Sequence, residues 1–210
     1  MTDIPIIFSA PMVRALLDGR KTMTRRLAWA YGVTPPVKVA PPEWPTSLWQ
    51  RVKCGDRLWV RENLAVMGNW GVWHDASEPP AYGKFLDDLD PRGRALLERY
   101  APAEATDSAR IPSIHMPRWA SRLTLVITAT KIESLQKITD ADAIAEGVDW
   151  NPTMGHFGCT PGKWFDNAWP LFRDLWCRLH GPDAWDANPE VVALTFAIHK
   201  LNIDAMERAA

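Results

Sequence analysis

The sequence predicts an α+β fold, and three observations carry that prediction. Residues 57–61 (RLWVR), 122–133 (RLTLVITATKIE) and 191–199 (VVALTFAIH) read as strands, with alternating or β-branched apolar residues. Residues 9–19, 139–147 and 164–180 carry apolar side chains at helical spacing. The two kinds of segment follow one another along 210 residues, a length that suits one large domain or two small ones.

The elements can be taken in order. Residues 5–8 (PIIF) suggest a first strand, and Ser9 can cap the helix behind it, where Pro11 costs no interior hydrogen bond. Met12, Val13, Leu16 and Leu17 form its apolar face, and Gly19 can end it in a left-handed conformation. Arg20, Lys21, Thr24, Arg25 and Arg26 follow directly and make a concentrated polar corner. It is either a solvated basic turn or a site for an anionic or nucleotide-like ligand. In the second case Lys21 and Thr24 are close enough in sequence to act together.

Residues 27–50 place Pro35, Pro36, Pro41, Pro42 and Pro45 among Trp29, Trp44 and Trp49, which predicts an ordered wrap with buried aromatics. Gly55 and Asp56 turn the chain into the strand at 57–61, and Glu62 ends it. Glu62 is either a charge partner for Arg57 or Arg61, or a carboxylate facing a ligand. Residues 84–99 have a weak helical pattern interrupted by Pro91, and 101–109 read as a small-residue linker. Residues 111–119 form a rigid approach to the next strand, in which Trp119 reads as a core plug.

After the strand at 122–133, Thr139 can cap a helix with Asp140 and Asp142 in its first turn. Glu146 sits near that helix's C-terminal end, where the dipole gives a carboxylate no help, so it needs a cation or a ligand. In 164–180, Phe165, Trp169, Phe172, Trp176 and Leu179 form a core stripe. The strand at 191–199 closes the pattern before a short acidic tail.

Composition narrows the function classes. The net charge of −1 argues against a generic nucleic-acid coat. Its distribution is uneven: residues 1–61 carry +6, 62–109 carry −5, 110–131 carry +4 and 132–210 carry −6. The two basic segments could border one positive cleft. No run of 18 apolar residues is present, so no membrane partner is expected. Three cysteines make no disulfide framework, and the N-terminus has no secretory pattern, so the expected location is the cytoplasm. No Gly-rich phosphate loop and no paired cysteine ligands are present, and His156 with Cys159 is too small a set for zinc. No cofactor and no metal are therefore expected.

GRKTMTRR at 19–26 matches a Gly-x-Lys-x-x-Thr-x-Arg pattern through Gly19, Lys21, Thr24 and Arg26. With CGDRLWVRE at 54–62 and ITDADAIAEG at 138–147, the chain resembles the longer ASCH proteins, a PUA-like family often encoded in phages and prophages. The resemblance implies one PUA-like β-barrel over residues 1–210, with flanking helices and with 63–118 inserted between barrel strands. It also implies a site. In small members that hydrolyse the acetyl amide of N4-acetylcytidine, the signature lysine and threonine and a later helical glutamate carry catalysis. Here these would be Lys21, Thr24 and Glu146. Arg20, Arg26, Glu62, Arg118 and Trp119 would bind the ligand, with Arg118 and Trp119 suited to phosphate binding and base stacking. The expected function is hydrolysis of an N-acylated cytidine or related base amide by a Lys-activated Thr. The second reading is an RNA or modified-nucleic-acid binding module, with or without ribonuclease activity. Either way the partner is a modified nucleoside or RNA.

Overall fold

The computed structural model describes residues 1–30, 45–67, 71–76, 81–85, 91–100, 109–149, 156–157 and 164–208. Its strands are β1 (Asp3–Ile7), β2 (Met23–Leu27), β3 (Arg57–Arg61), β4 (Leu64–Met67), β5 (Gly71–His74), β6 (Ala81–Phe85), β7 (Ala109–Ile111), β8 (Thr124–Ser134), β9 (His156–Phe157), β10 (Trp164–Phe165) and β11 (Glu190–His199). Its helices are α1 (Ala10–Leu17), α2 (Pro91–Tyr100), α3 (Asp140–Ala145), α4 (Trp169–His180) and α5 (Ile203–Arg208). Pro35, Pro36, Pro41, Pro42, Trp44, Cys159 and most of the expected 101–109 linker lie outside the described residues.

The principal sheet has five strands in the order β1-β3-β8-β11-β2. β1 runs parallel to β3, while β3–β8 and β11–β2 are antiparallel, so the sheet is mixed. Among the described residues nothing pairs the two end strands, β1 and β2. The sheet is open, and the PUA-like barrel expected from the resemblance is not formed; the α+β content is kept without the closure. Both ends carry features that blunt further pairing. Pro5 lies within β1 and has no N–H to offer a neighbour. In β2 the Met23 carbonyl accepts the Lys21 ammonium at 2.9 Å.

The chain divides into two compact units. One comprises Met1–Leu17, Arg57–Val126 and Ile198–Ala210. Here Ile4 stands opposite Leu58 and Ile6 opposite Val60 across the β1–β3 ladder, and all four side chains are buried. This unit also holds a second, four-stranded sheet in the order β6-β5-β4-β7. Leu64 and Val66 of β4 and Ile111 of β7 make a core with Met116 and Ala120, against which Tyr100 and Trp119 pack. The stretch read from sequence as an insertion thus contributes a sheet and a core of its own. α2 begins at Pro91, where sequence suggested a break, because proline fits the first helical position.

The other unit comprises Asp18–Asp56 and Ile127–Ala197. Thr139 forms a full capping box with Asp142 at the start of α3. α4 spans less than the expected 164–180, since Trp164 and Phe165 pair instead with β9. Pro170 sits in the first turn of α4, and Gly181 (φ 106°) ends it. Phe172 and Trp176 are buried in a core with Leu135, Ile138, Ala143, Ala168, Trp185 and Val191. Leu179, expected in the same stripe, is exposed. Part of the 27–50 wrap is ordered by a bridge between Trp29 and Thr46.

Candidate functional site

The site grows from the loop between α1 and β2. Gly19, at φ 75°, turns the chain out of α1. The next three residues then serve the C-terminal end of α3, whose last carbonyls have no partner within the helix. Arg20 Nη1 donates to Gly147 O at 3.4 Å, Lys21 Nζ to Glu146 O at 2.8 Å and the Thr22 amide to Ala145 O at 2.8 Å. Two cations therefore meet the negative end of a helix.

Lys21 is fully buried, and its ammonium also donates to Glu146 Oε2 at 2.8 Å. With the Met23 carbonyl, three oxygens match its three N–H bonds. The carboxylate predicted to need a cation thus has one, and more than one. Glu146 Oε1 lies 3.4 Å from Arg25 Nη1. Arg25 in turn donates through Nη2 to Glu133 Oε1 at 2.9 Å and Asp142 Oδ2 at 2.8 Å. Lys131 pairs with Glu133 Oε2 at 2.6 Å. Lys21, Arg25 and Lys131 balance Glu133, Asp142 and Glu146 in one network. Burial pushes the proton affinity of Lys21 below that of an ordinary lysine; Arg26 and Arg25 push it the same way, and Glu146 opposes them without prevailing.

Strand register decides what faces what. Arg25 stands opposite Ala193 and Met23 opposite Thr195, so these four share one face of the β2–β11 ladder. A cavity of about 160 Å³ opens on that face, lined also by Ala129, Thr130, Lys131, Glu133 and Asp142. Thr24, nearly buried, stands opposite Leu194 on the other face. It follows Met23 directly, and Met23 O is 2.9 Å from Lys21 Nζ; standard bond lengths therefore hold the Thr24 Cα within about 6 Å of the ammonium. Arg26 lies over the Trp49 ring at 5.5 Å, and burial lowers its pKa.

Glu62, Arg118 and Trp119 belong to the other unit. Glu62 is almost wholly buried and accepts both Arg122 Nε (2.8 Å) and Nη2 (2.9 Å). His74 Nδ1 lies 3.2 Å from the same carboxylate. Its partners are thus neither Arg57 nor Arg61, the two that sequence suggested. Burial would raise the Glu62 pKa, but His74 and Arg122 outweigh it and hold it below the usual value. Arg118 is held by Asp3 at 2.6 Å and Asp204 at 2.7 Å. Burial would lower its pKa, but these two carboxylates raise it. Trp119 packs against the core around Leu64 and Ile111.

Sequence reasoning missed the residue at the centre of the network. Arg25 was read as one of several basic residues, and Glu133 and Asp142 as strand and cap. No sequence signal pointed to it, because its three carboxylate partners lie 108, 117 and 121 residues away.

Comparison with family models, curated proteins and solved structures gave no match. With the open sheet, this overturns the expected membership of the ASCH and PUA-like families. Among the described residues, no helix is long and apolar enough to cross a membrane, and no group of three or more His, Cys, Asp or Glu is placed to hold a metal.

Proposed function

We propose that this protein hydrolyses an acyl amide, with Lys21 as general base and Thr24 as nucleophile. N-acylated cytidine and related base amides are the substrate class to test first. The observation that supports the reading is the fully buried Lys21 amine, whose proton affinity is lowered by burial and by Arg26 and Arg25, and which is hydrogen-bonded to the carbonyl of Met23, the residue before Thr24. A threonine hydroxyl is too weakly acidic to attack unaided and needs such a base.

In the neutral form Lys21 has two N–H bonds and one lone pair. It can keep two of its three oxygens, and the proposed step requires its lone pair to meet Thr24 Oγ1. Lys21 takes the hydroxyl proton as Oγ1 bonds to the acyl carbon. The carbon–nitrogen bond then breaks, and the leaving amine takes the proton back from Lys21. Water attacks the acyl-threonine in a second round with Lys21 again as base, releasing the carboxylic acid and the free hydroxyl. Glu146 holds Lys21 in place and stabilises its protonated form between the two transfers.

The test is release of acetate from N4-acetylcytidine and other N-acylated bases. Thr24→Ala is expected to abolish turnover while ligand binding persists. Lys21→Arg is expected to be inactive, because a guanidinium does not surrender its proton. Absence of release from every substrate by the wild type would overturn the proposal. Turnover that survives Thr24→Ala would remove the covalent step and leave water as the nucleophile.

A further inference from the structure

We infer that Arg25 is a positioning residue for the Lys21 site: it shares the Glu146 carboxylate with Lys21 and thereby governs how firmly that carboxylate holds the lysine proton. This role rests on the reading of Lys21 as a base. It extends that reading to a residue that follows Thr24 directly in β2 but lies on the opposite face of the strand.

The contacts define the sharing. Glu146 accepts Lys21 Nζ on Oε2 at 2.8 Å and Arg25 Nη1 on Oε1 at 3.4 Å. The bond from Lys21 is short and the one from Arg25 long, while Arg25 commits Nη2 to Glu133 Oε1 at 2.9 Å and Asp142 Oδ2 at 2.8 Å. Asp142 and Glu146 lie one helical turn apart, with the Glu146 amide bonded to the Asp142 carbonyl, and like charges at that spacing repel. The guanidinium set among them and Glu133 offsets that repulsion. It keeps its proton, so its charge stays in place whatever Lys21 does. Solvent screens it little, since the Arg25 side chain is 1% exposed and that of Glu146 4%.

Glu146 therefore answers to two cations. Removing Arg25 leaves the carboxylate to Lys21 and takes away a neighbouring positive charge, and both changes favour the ammonium. Removing the charge of a competing carboxylate turns Arg25 toward Glu146, which favours the amine. The other charged groups around Lys21 have separate ties. Arg26 faces Lys21 and Glu146 from β2, and His180 of α4 stands near Arg26. Arg20 pairs with Asp18, and Lys131 with Glu133. Arg25 is the group that ties Glu146 to Glu133 and Asp142.

The experiment follows the Lys21 side chain by NMR across pH in the full chain labelled with carbon-13 lysine, its signal identified by its absence from Lys21→Met. Arg25→Gln should raise the ratio of ammonium to amine at a given pH about tenfold, the lower end of what one neighbouring charge does. Asp142→Asn keeps an oxygen for the Thr139 amide and should lower the ratio. That effect should vanish in the Arg25→Gln background, because its route to Lys21 runs through Arg25. If Arg25→Gln alone does not fold, Asp142→Asn and Arg25→Gln/Asp142→Asn give the same comparison with one carboxylate fewer to balance. A merely structural Arg25 would change stability and leave the Lys21 titration where it was. A titration unmoved by Arg25→Gln, unmoved in a folded Asp142→Asn variant, or moved equally by Asp142→Asn with and without Arg25 would each overturn the inference. In parallel, the acid limb of kcat/KM for acetate release from N4-acetylcytidine should move to higher pH in Arg25→Gln. A wild type without turnover whose Lys21 titration still responds to Arg25 as expected would refute the hydrolase reading and support the hold of Arg25 over Lys21.

Discussion

Replacing Glu146 by Gln should unfold this protein more readily than any neutral reading of the network allows. Lys21 is fully buried and Glu146 is 4% exposed, so solvent does little to screen the pair. At their 2.8 Å separation, an effective dielectric constant of 20 gives an attraction of about 6 kcal/mol. Burying the two ions costs several kcal/mol each, so the intact pair comes close to breaking even. The substitution removes the attraction and leaves the cost of burying Lys21, with Arg25 and Arg26 still nearby. Breaking a buried pair in this way costs about 3–5 kcal/mol. With a urea slope of about 2 kcal/mol/M, the unfolding midpoint should fall by roughly 2 M. Lys21→Met removes the cation instead and leaves Glu146 beside Arg25, so its loss should be smaller. The double variant Lys21→Met/Glu146→Gln should recover much of the stability lost by Glu146→Gln alone, because it strands no charge. A Glu146→Gln midpoint equal to the wild type, or a double variant less stable than the sum of the two singles, would refute the description of Lys21 as a buried, paired ammonium.

Three further outcomes are expected. Because the Lys21 pKa is lowered from 10.5, the unfolded chain binds a proton that the native state has already lost between the two values; wild-type stability should rise with pH across that window relative to Lys21→Met, as paired urea melts at alkaline pH would register. Glu62 has its pKa lowered from 4.5, so its contribution is complete above that value and is lost as pH falls toward the lowered one; the difference in melting temperature between wild type and Glu62→Gln should shrink through that acid window. Trp176→Ala should cost about 3–5 kcal/mol, whereas Trp176→Phe should cost much less, because the buried indole N–H it removes has no acceptor among the described residues.

The elements whose physics is local were legible in the sequence. Residues 57–61 form β3 as read, because alternation and the Gly55–Asp56 turn specify a strand without distant help. The Thr139 cap was legible because its acceptor and donor lie three residues apart. Closure of the sheet was not legible: strand signals look alike in an open sheet and a barrel, and the order β1-β3-β8-β11-β2 is set by pairings across the whole chain. The site was read in part. The requirement of Glu146 for a cation follows from its place at a helix end, and Lys21 supplies it. That Arg25 would bind three carboxylates at once could not be read, since those partners lie 108, 117 and 121 residues away. Glu62 illustrates the same limit. Its basic neighbours in sequence suggested an ion pair, but the fork it accepts comes from Arg122, 60 residues on.

The buried charges themselves bear on function. Replacing a buried ion pair by an apolar pair of similar volume is often neutral or stabilising, so stability alone is a weak account of Lys21 and Glu146. Capping the carbonyls of α3 does not account for it either. The Thr22 amide and Arg20 already serve Ala145 O and Gly147 O, and a carbonyl at a helix end can be met by an uncharged donor. What a lysine adds in that position is a group that can change protonation state. Burial and two neighbouring guanidiniums move Lys21 toward the neutral amine, while one carboxylate keeps the ammonium within reach. Opposing influences of this kind on a buried amine support the proposed role of Lys21 in proton transfer. Arg25 is different, because a guanidinium keeps its proton. Its role in the network is to hold three carboxylates in fixed positions. The two residues share Glu146 as a partner, yet their chemistry divides: Lys21 carries a proton it can give up, and Arg25 one it keeps.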